Sequence, residues 1–152
     1  MADFVTHVAV ANLCGKATGD DRARAVLLVG TCLPDVLYKG LLYAAGSATW
    51  TAEPSHSPLP LVALCFGAAM LFEEAFRPRA FVALLSGCYL HVLVDLGKDY
   101  MGQGVILWAF PFSMHRIELG WYRPQHMTYM MAGSAVVIVL TELAFRRRAK
   151  VL

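Results

Sequence analysis

The segment from residue 80 to residue 96 is almost entirely apolar, yet it carries a histidine and an aspartate near its end. Its composition predicts a helix, and in a helix His91 and Asp95 lie on the same face, one turn apart. An ionisable side chain without a partner in such apolar surroundings is energetically costly. Any fold of this chain must therefore supply partners for the His91/Asp95 pair.

The composition of the whole chain favours a membrane protein. It has 152 residues, of which 58% are hydrophobic, well above the roughly 45–50% of soluble globular proteins. The length suits one domain, so we expect residues 1–152 to form a single membrane-embedded helical domain. The net charge of +2 and the scattered basic residues exclude a nucleic-acid-binding patch. The four cysteines form no Cys-x-x-Cys pair, which indicates buried reduced thiols.

Apolar segments separated by turns predict an all-α fold. Pro34 is expected to end a helix that begins near residue 24, and the connection 97–123 contains many glycines and aromatic residues. Most apolar runs are near the lower limit of the ~17–25 residues that cross a bilayer. We expect a polytopic helical membrane protein with about four transmembrane helices plus short or re-entrant helices; a soluble helical bundle is the alternative. The predicted helices cover residues 4–14, 24–32, 59–76, 80–96 and 127–145.

Basic residues indicate the orientation of these helices in the bilayer. They cluster at residues 22–24, 77–79 and 146–150, at alternate ends of successive apolar segments. Cytoplasmic loops collect Lys and Arg, and one topology places all three clusters inside. The pattern therefore predicts a multi-pass protein of the inner (cytoplasmic) membrane, with its C-terminus in the cytoplasm and the lipid bilayer as its partner.

Two turns bring the remaining ionisable groups of the apolar segments to one height. His7 lies about three turns before the polar stretch 15–22, and Asp35 follows that stretch at a comparable distance, so an antiparallel hairpin aligns them. His56 and the His91/Asp95 pair flank the turn at 77–79 in the same way. All these groups are expected to meet at the extracytoplasmic end, opposite the basic turns.

Three histidines and two aspartates at one height form a candidate metal site. Imidazole nitrogens and carboxylate oxygens are ligands that zinc, manganese and iron accept. Taken singly, each residue has a structural explanation as a cap, a loop residue or a hydrogen-bonded pair. Their coincidence favours a divalent metal ion, with zinc as the first choice and manganese or iron as alternatives. The candidate ligands are His7, Asp35, His56, His91 and Asp95.

Several motifs follow one another in a fixed order between residues 4 and 115. They are His7, Leu33-Pro34-Asp35, Ser55-His56-Ser57, His91-x-x-x-Asp95 and Leu107-Trp-Ala-Phe-Pro-Phe-Ser113. This order resembles the membrane-bound metal-dependent hydrolases, a largely uncharacterised bacterial and archaeal family. That family continues its Pro-Asp motif with an acidic residue and a histidine, and it has a second histidine upstream of Ser-His-Ser. This chain lacks those groups, which favours a single metal ion or a degenerate site.

The resemblance implies a hydrolase in which a metal-activated water attacks an ester or phosphoester, and the membrane setting suggests a lipid or lipid-linked substrate. Asp35 or Asp95 is the candidate catalytic base, with Glu53 as a further candidate. His115 and Arg116 are candidate substrate-binding residues for an anionic headgroup. The alternative is a non-catalytic membrane protein, a small transporter or structural subunit, that uses buried His and Asp as an ion relay or packing network. The oligomeric state is left open.

Overall fold

The computed structural model of the protein describes residues 4–45, 53–99 and 106–149. The predicted helical fold is confirmed in its main feature, and a small antiparallel hairpin of β1 (Ile106–Leu107) and β2 (Arg116–Ile117) lies in the predicted connection. Short 3-10 turns precede α3, α4 and α5. The five long helices of the described residues are α1 (Phe4–Lys16), α2 (Asp21–Ala45), α3 (Pro58–Ala69), α4 (Arg77–Leu96) and α5 (Met127–Ala149).

Three segments of the described chain are long and apolar enough to cross a membrane. They are Asp21–Ala44, Glu74–Leu96 and Pro124–Arg147, judged by length and composition. α1 has 13 residues and α3 has 12, which at about 1.5 Å per residue is too short for a hydrocarbon layer of about 30 Å. The predicted count of about four crossings is therefore not confirmed.

Polar contacts at both ends of the bundle define the helix directions. Arg22 at the start of α2 pairs with Glu73, just before α4, at 3.1 Å, so these two helices begin at the same end. Thr6 contacts Ser134 at 3.0 Å and Lys16 contacts Glu142 at 2.9 Å, so α1 and α5 run parallel to each other. The basic clusters at residues 22–24, 77–79 and 146–147 consequently lie at one end of the bundle, whereas Lys98 and Arg123 lie at the other.

Two glycines allow α2 and α4 to approach very closely. A Cβ atom on Gly30 would overlap the carbonyl oxygen of Leu84, and a Cβ atom on Gly87 would overlap that of Leu27. Small residues at helix contacts are the usual means of close packing between membrane helices. The contact lies about one turn before Asp35 on α2 and one turn before His91 on α4, so it sets the distance between those two side chains.

The predicted helix end at Pro34 is wrong, because α2 continues through this proline to Ala45. Proline removes the N–H that would bond to the carbonyl of Gly30, four residues earlier. That carbonyl accepts a hydrogen bond from Sγ of Cys88 on α4 instead, at 3.2 Å. The thiol of Cys88 on α4 therefore supplies the hydrogen bond that the Gly30 carbonyl cannot receive within its own helix.

The helix predicted over 59–76 is also shorter than expected. α3 ends at Ala69, where tight backbone hydrogen bonds, such as Met70 N–H to the carbonyl of Gly67, close its last turn. The chain then turns, and Pro78 lies in the first turn of α4, a position where a missing N–H has no cost.

The outer surface of the bundle is apolar. In the candidate span on α5, no residue is buried, and Val136, Val139 and Leu140 each expose more than half of their surface. An apolar helix face that runs along the candidate span is unfavourable in water and is compatible with the hydrocarbon layer of a bilayer.

Candidate metal centre

Four buried side chains from three parts of the chain each turn one ligand atom toward a common point. Asp35 is on α2, His56 ends the 3-10 turn Glu53–His56, and His91 and Asp95 are on α4. These ligand atoms all lie within 4.8 Å of one another. The helical spacing of His91 and Asp95 places both on the face of α4 that meets α2 and the 3-10 turn.

Five of the six separations between the four ligand atoms are close to those around a small ion. Nε2 of His91 lies 3.3 Å from Nε2 of His56, and both nitrogens lie 3.5 Å from Oδ1 of Asp35. Oδ2 of Asp95 lies 3.5 Å from the nitrogen of His91 and 3.7 Å from that of His56. A tetrahedral ion with bonds of about 2.0–2.1 Å holds its ligands ~3.3–3.4 Å apart. The group can therefore hold a metal ion.

Hydrogen bonds on the far side of both imidazoles orient them for this role. Nδ1 of His91 lies 2.8 Å from the carbonyl oxygen of Thr31. A carbonyl oxygen only accepts, so Nδ1 of His91 carries a proton. Nε2 faces the centre, and its lone pair is available to a metal ion when the ring is neutral. Nδ1 of His56 lies 2.9 Å from Oγ of Ser55, which supports the corresponding orientation. Such outer partners are typical of metal-binding histidines.

The carboxylate of Asp35 shows why a cation would stabilise this arrangement. Its Oδ1 atom is buried and accepts no hydrogen bond from any residue in the described ranges. A buried acceptor left in this state costs about 1–3 kcal/mol, and more when it is charged. Since this oxygen points to the centre of the four-atom group, a divalent cation is the partner that its position fits.

His7, the fifth predicted ligand, lies next to the four-atom group. Its ring stacks on that of His91, with centroids 3.8 Å apart and planes 10° apart. Its Nε2 lies 3.5 Å from Oδ1 of Asp95, whereas the group of four uses Oδ2 of that carboxylate. α1 lies outside the candidate spans. Burial is the largest influence on the pKa of His7 and lowers it, although the contact with Asp95 opposes this. A neutral His7 can contact Asp95 without adding positive charge.

Two other predicted site residues, His115 and Arg116, are not part of this cluster. Glu53 begins the 3-10 turn, but its side chain lies outside the residues whose surroundings the structure describes. His115 and Arg116 are exposed beside and on β2. The paired strand β1 is buried and packs against the turn that carries His56. The hairpin thus covers this part of the site while its predicted headgroup-binding residues face outward.

Sequence reasoning did not identify Thr31 and Tyr38 as neighbours of the site. Thr31 precedes Asp35 by four residues, so it lies on the same face of α2, and a polar residue at this spacing in an apolar run was the available signal. The edge of the Tyr38 ring faces the ring of His56, with centroids 5.7 Å apart and planes at 84°. Tyr38 follows Asp35 by three residues, about one helical turn, and nothing in the sequence around it indicates a contact with His56.

Comparisons with family models, with curated proteins and with solved structures find no match to this chain. The resemblance to membrane-bound metal-dependent hydrolases consequently rests on the order and spacing of the motifs and stays a prediction. What the structure establishes is a mostly helical chain with three segments able to span a membrane and a buried group, Asp35, His56, His91 and Asp95, able to hold a metal ion.

Proposed function

We propose that this protein is a membrane-embedded, metal-dependent hydrolase whose ion is held by Asp35, His56, His91 and Asp95. One observation carries the proposal: four buried ligand atoms, two nitrogens and two oxygens, with separations of 3.3, 3.5 and 3.7 Å. Zinc is the first choice because it accepts this mixed set in tetrahedral geometry, and manganese or iron are the alternatives.

The ion supplies the reactive chemistry of the proposal. When bound, a divalent ion polarises a carbonyl or phosphoryl oxygen and lowers the pKa of water toward neutrality. The chain itself holds the Nδ1 proton of His91 on the Thr31 carbonyl and provides carboxylates that accept a proton. Asp35 is the best placed proton acceptor, because 12% of its side chain is exposed, against 0% for Asp95.

The surroundings of the site support a substrate that lies in the membrane. The cluster is near the end of α4, with Asp95 next to the last residue of the helix, and the outer surface of the bundle is apolar. An ester or phosphoester of a lipid or lipid-linked molecule would lie at this level. The basic clusters at residues 22–24, 77–79 and 146–147 lie at the opposite end of the bundle. The positive-inside rule then favours the extracytoplasmic side of the inner membrane for the site, with a cytoplasmic C-terminus.

A second candidate is a non-catalytic membrane protein that passes protons or ions. The observation that favours it is the chain of touching groups formed by His7, Asp95 and His91, with 3.5 Å between Nε2 of each histidine and the aspartate. Buried ionisable groups in membrane helices often serve such relays. Stoichiometric metal binding separates the two candidates.

Metal content is the decisive measurement. The protein, purified in detergent without metal affinity tags, is expected to contain one zinc ion per chain by elemental analysis. The double variant His91→Ala plus Asp95→Ala is expected to lose it, while the exposed His126→Ala serves as the matched histidine control. Zinc-dependent cleavage of chromogenic ester or phosphoester substrates in mixed micelles then tests hydrolysis. A wild-type protein without metal, or a double variant that retains it, would refute the hydrolase assignment.

A further inference from the structure

Two consecutive carbonyl groups of α2, those of Gly30 and Thr31, accept hydrogen bonds from α4 just before Pro34. Pro34 has no N–H, and its ring pushes away the carbonyl of Gly30, four residues earlier. The oxygen of Gly30 accepts a hydrogen bond from Sγ of Cys88, at 3.2 Å. The next carbonyl, that of Thr31, accepts the Nδ1 proton of His91, at 2.8 Å. Both donors belong to α4.

These two hydrogen bonds form one ladder between the helices. Cys88 and His91 are three residues apart, so they are neighbours on one face of α4. Gly30 and Thr31 present consecutive carbonyls to that face. The missing N–H of Pro34 leaves the carbonyl of Gly30 free to accept from Cys88. This contact places the adjacent carbonyl of Thr31 opposite His91, three residues after Cys88.

We propose that Pro34 is a positioning residue of the metal centre: it aims the Thr31 carbonyl at Nδ1 of His91 and so fixes the tautomer that directs Nε2 to the ion. The inference rests on the proposed metal site. Pro34 acts through a backbone atom of another residue, so its contribution is to ligand orientation and not to ligand chemistry.

The substitution Pro34→Ala tests this role, because it restores an N–H that can bond to the carbonyl of Gly30. We expect zinc affinity to fall about 10- to 100-fold, the usual effect of losing the outer hydrogen bond of a ligand. The unfolding temperature of the metal-free protein is expected to stay equal or to rise, because alanine favours a helix interior far more than proline does. A purely structural role predicts that affinity and unfolding temperature fall together.

A spectroscopic measurement reports on His91 directly. In zinc-loaded protein labelled with ¹⁵N-histidine, the wild type is expected to show His91 with a protonated Nδ1 and a zinc-bound Nε2. Pro34→Ala is expected to show a mixture of both tautomers. His91→Ala identifies the resonances by their disappearance.

Gly40→Ala is the matched control on the same helix. A Cβ atom at Gly40 meets nothing within 4 Å, so this variant strengthens the helix without touching the centre and should leave affinity and tautomer unchanged. Three results for Pro34→Ala would overturn the role of Pro34 but leave the metal site. They are a zinc affinity within twofold of wild type, an unchanged tautomer of His91, and a joint fall of zinc affinity and unfolding temperature. A wild-type protein that binds no zinc overturns both.

Discussion

The close contact between α2 and α4 leads to a quantitative prediction for Gly87→Ala. A Cβ atom at this position overlaps the carbonyl oxygen of Leu27 and lies 2.7 Å from the backbone nitrogen of Thr31. Non-bonded carbon contacts are normally about 3.5–4.0 Å long, so the two helices must separate by on the order of 1 Å. The obstructing atoms belong to backbone and cannot move aside as a flexible side chain would.

This displacement is large compared with the tolerance of a metal site. Distances to a metal ion vary by only about 0.2 Å, and His91 follows Gly87 by one helical turn. We therefore expect Gly87→Ala to lower zinc affinity by at least ~100-fold, and to lower the free energy of unfolding by about 1–3 kcal/mol, as overpacking of a core does.

The assay combines zinc titration with denaturant unfolding followed by circular dichroism, both in the same detergent. Gly67→Ala is the control, because a Cβ atom there meets nothing within 4 Å, and alanine should stabilise that helix by up to about 1 kcal/mol. If Gly87→Ala matches the wild type in zinc affinity and in unfolding free energy, the helices do not approach as closely as described, and the reasoning fails.

Three further substitutions separate packing from metal binding. Thr31→Val should lower the free energy of unfolding by about 0.5–1.5 kcal/mol, because it removes the hydroxyl that donates to the carbonyl of Gly87 at 3.0 Å. Zinc affinity should persist, since the site uses only the backbone carbonyl of Thr31. Ser55→Ala should lower zinc affinity about 10-fold in a calorimetric titration by removing the Nδ1 partner of His56. Glu142→Gln should loosen α5, because this carboxylate contacts Lys16 on α1 at 2.9 Å and Arg24 on α2 at 2.6 Å. The rate at which a thiol reagent labels cysteines introduced on α5 should rise, while the bound zinc stays constant.

The parts of the site that follow from helical periodicity could be predicted from the sequence. The spacing of four residues alone places His91 and Asp95 on one face, and the lengths of the segments on each side of a turn place His7 and Asp35 at a common height. The apolar composition likewise indicated helices able to span a membrane. These inferences need only local geometry, which is the same in every helix.

The continuation of α2 through Pro34 shows where local rules end. A proline inside a helix is unfavourable because it leaves a carbonyl unpaired, and the sequence around residue 34 contains no replacement donor. The thiol of Cys88 is the donor, more than fifty residues away in the chain. Only the packing of α4 against α2 decides whether that hydrogen bond exists.

The chain's sequence by itself determined the kinds of ligand, their helical faces and their approximate level in the bundle. Tertiary structure alone decided which four ligand atoms converge, with His91 and His56 3.3 Å apart, and that His7 contacts Asp95 from beside them. The physical reason is that ligand separations of tenths of an ångström depend on the distance between helices. That distance is set where backbone meets backbone at Gly30 and Gly87, and a periodic pattern of side chains carries no information about it.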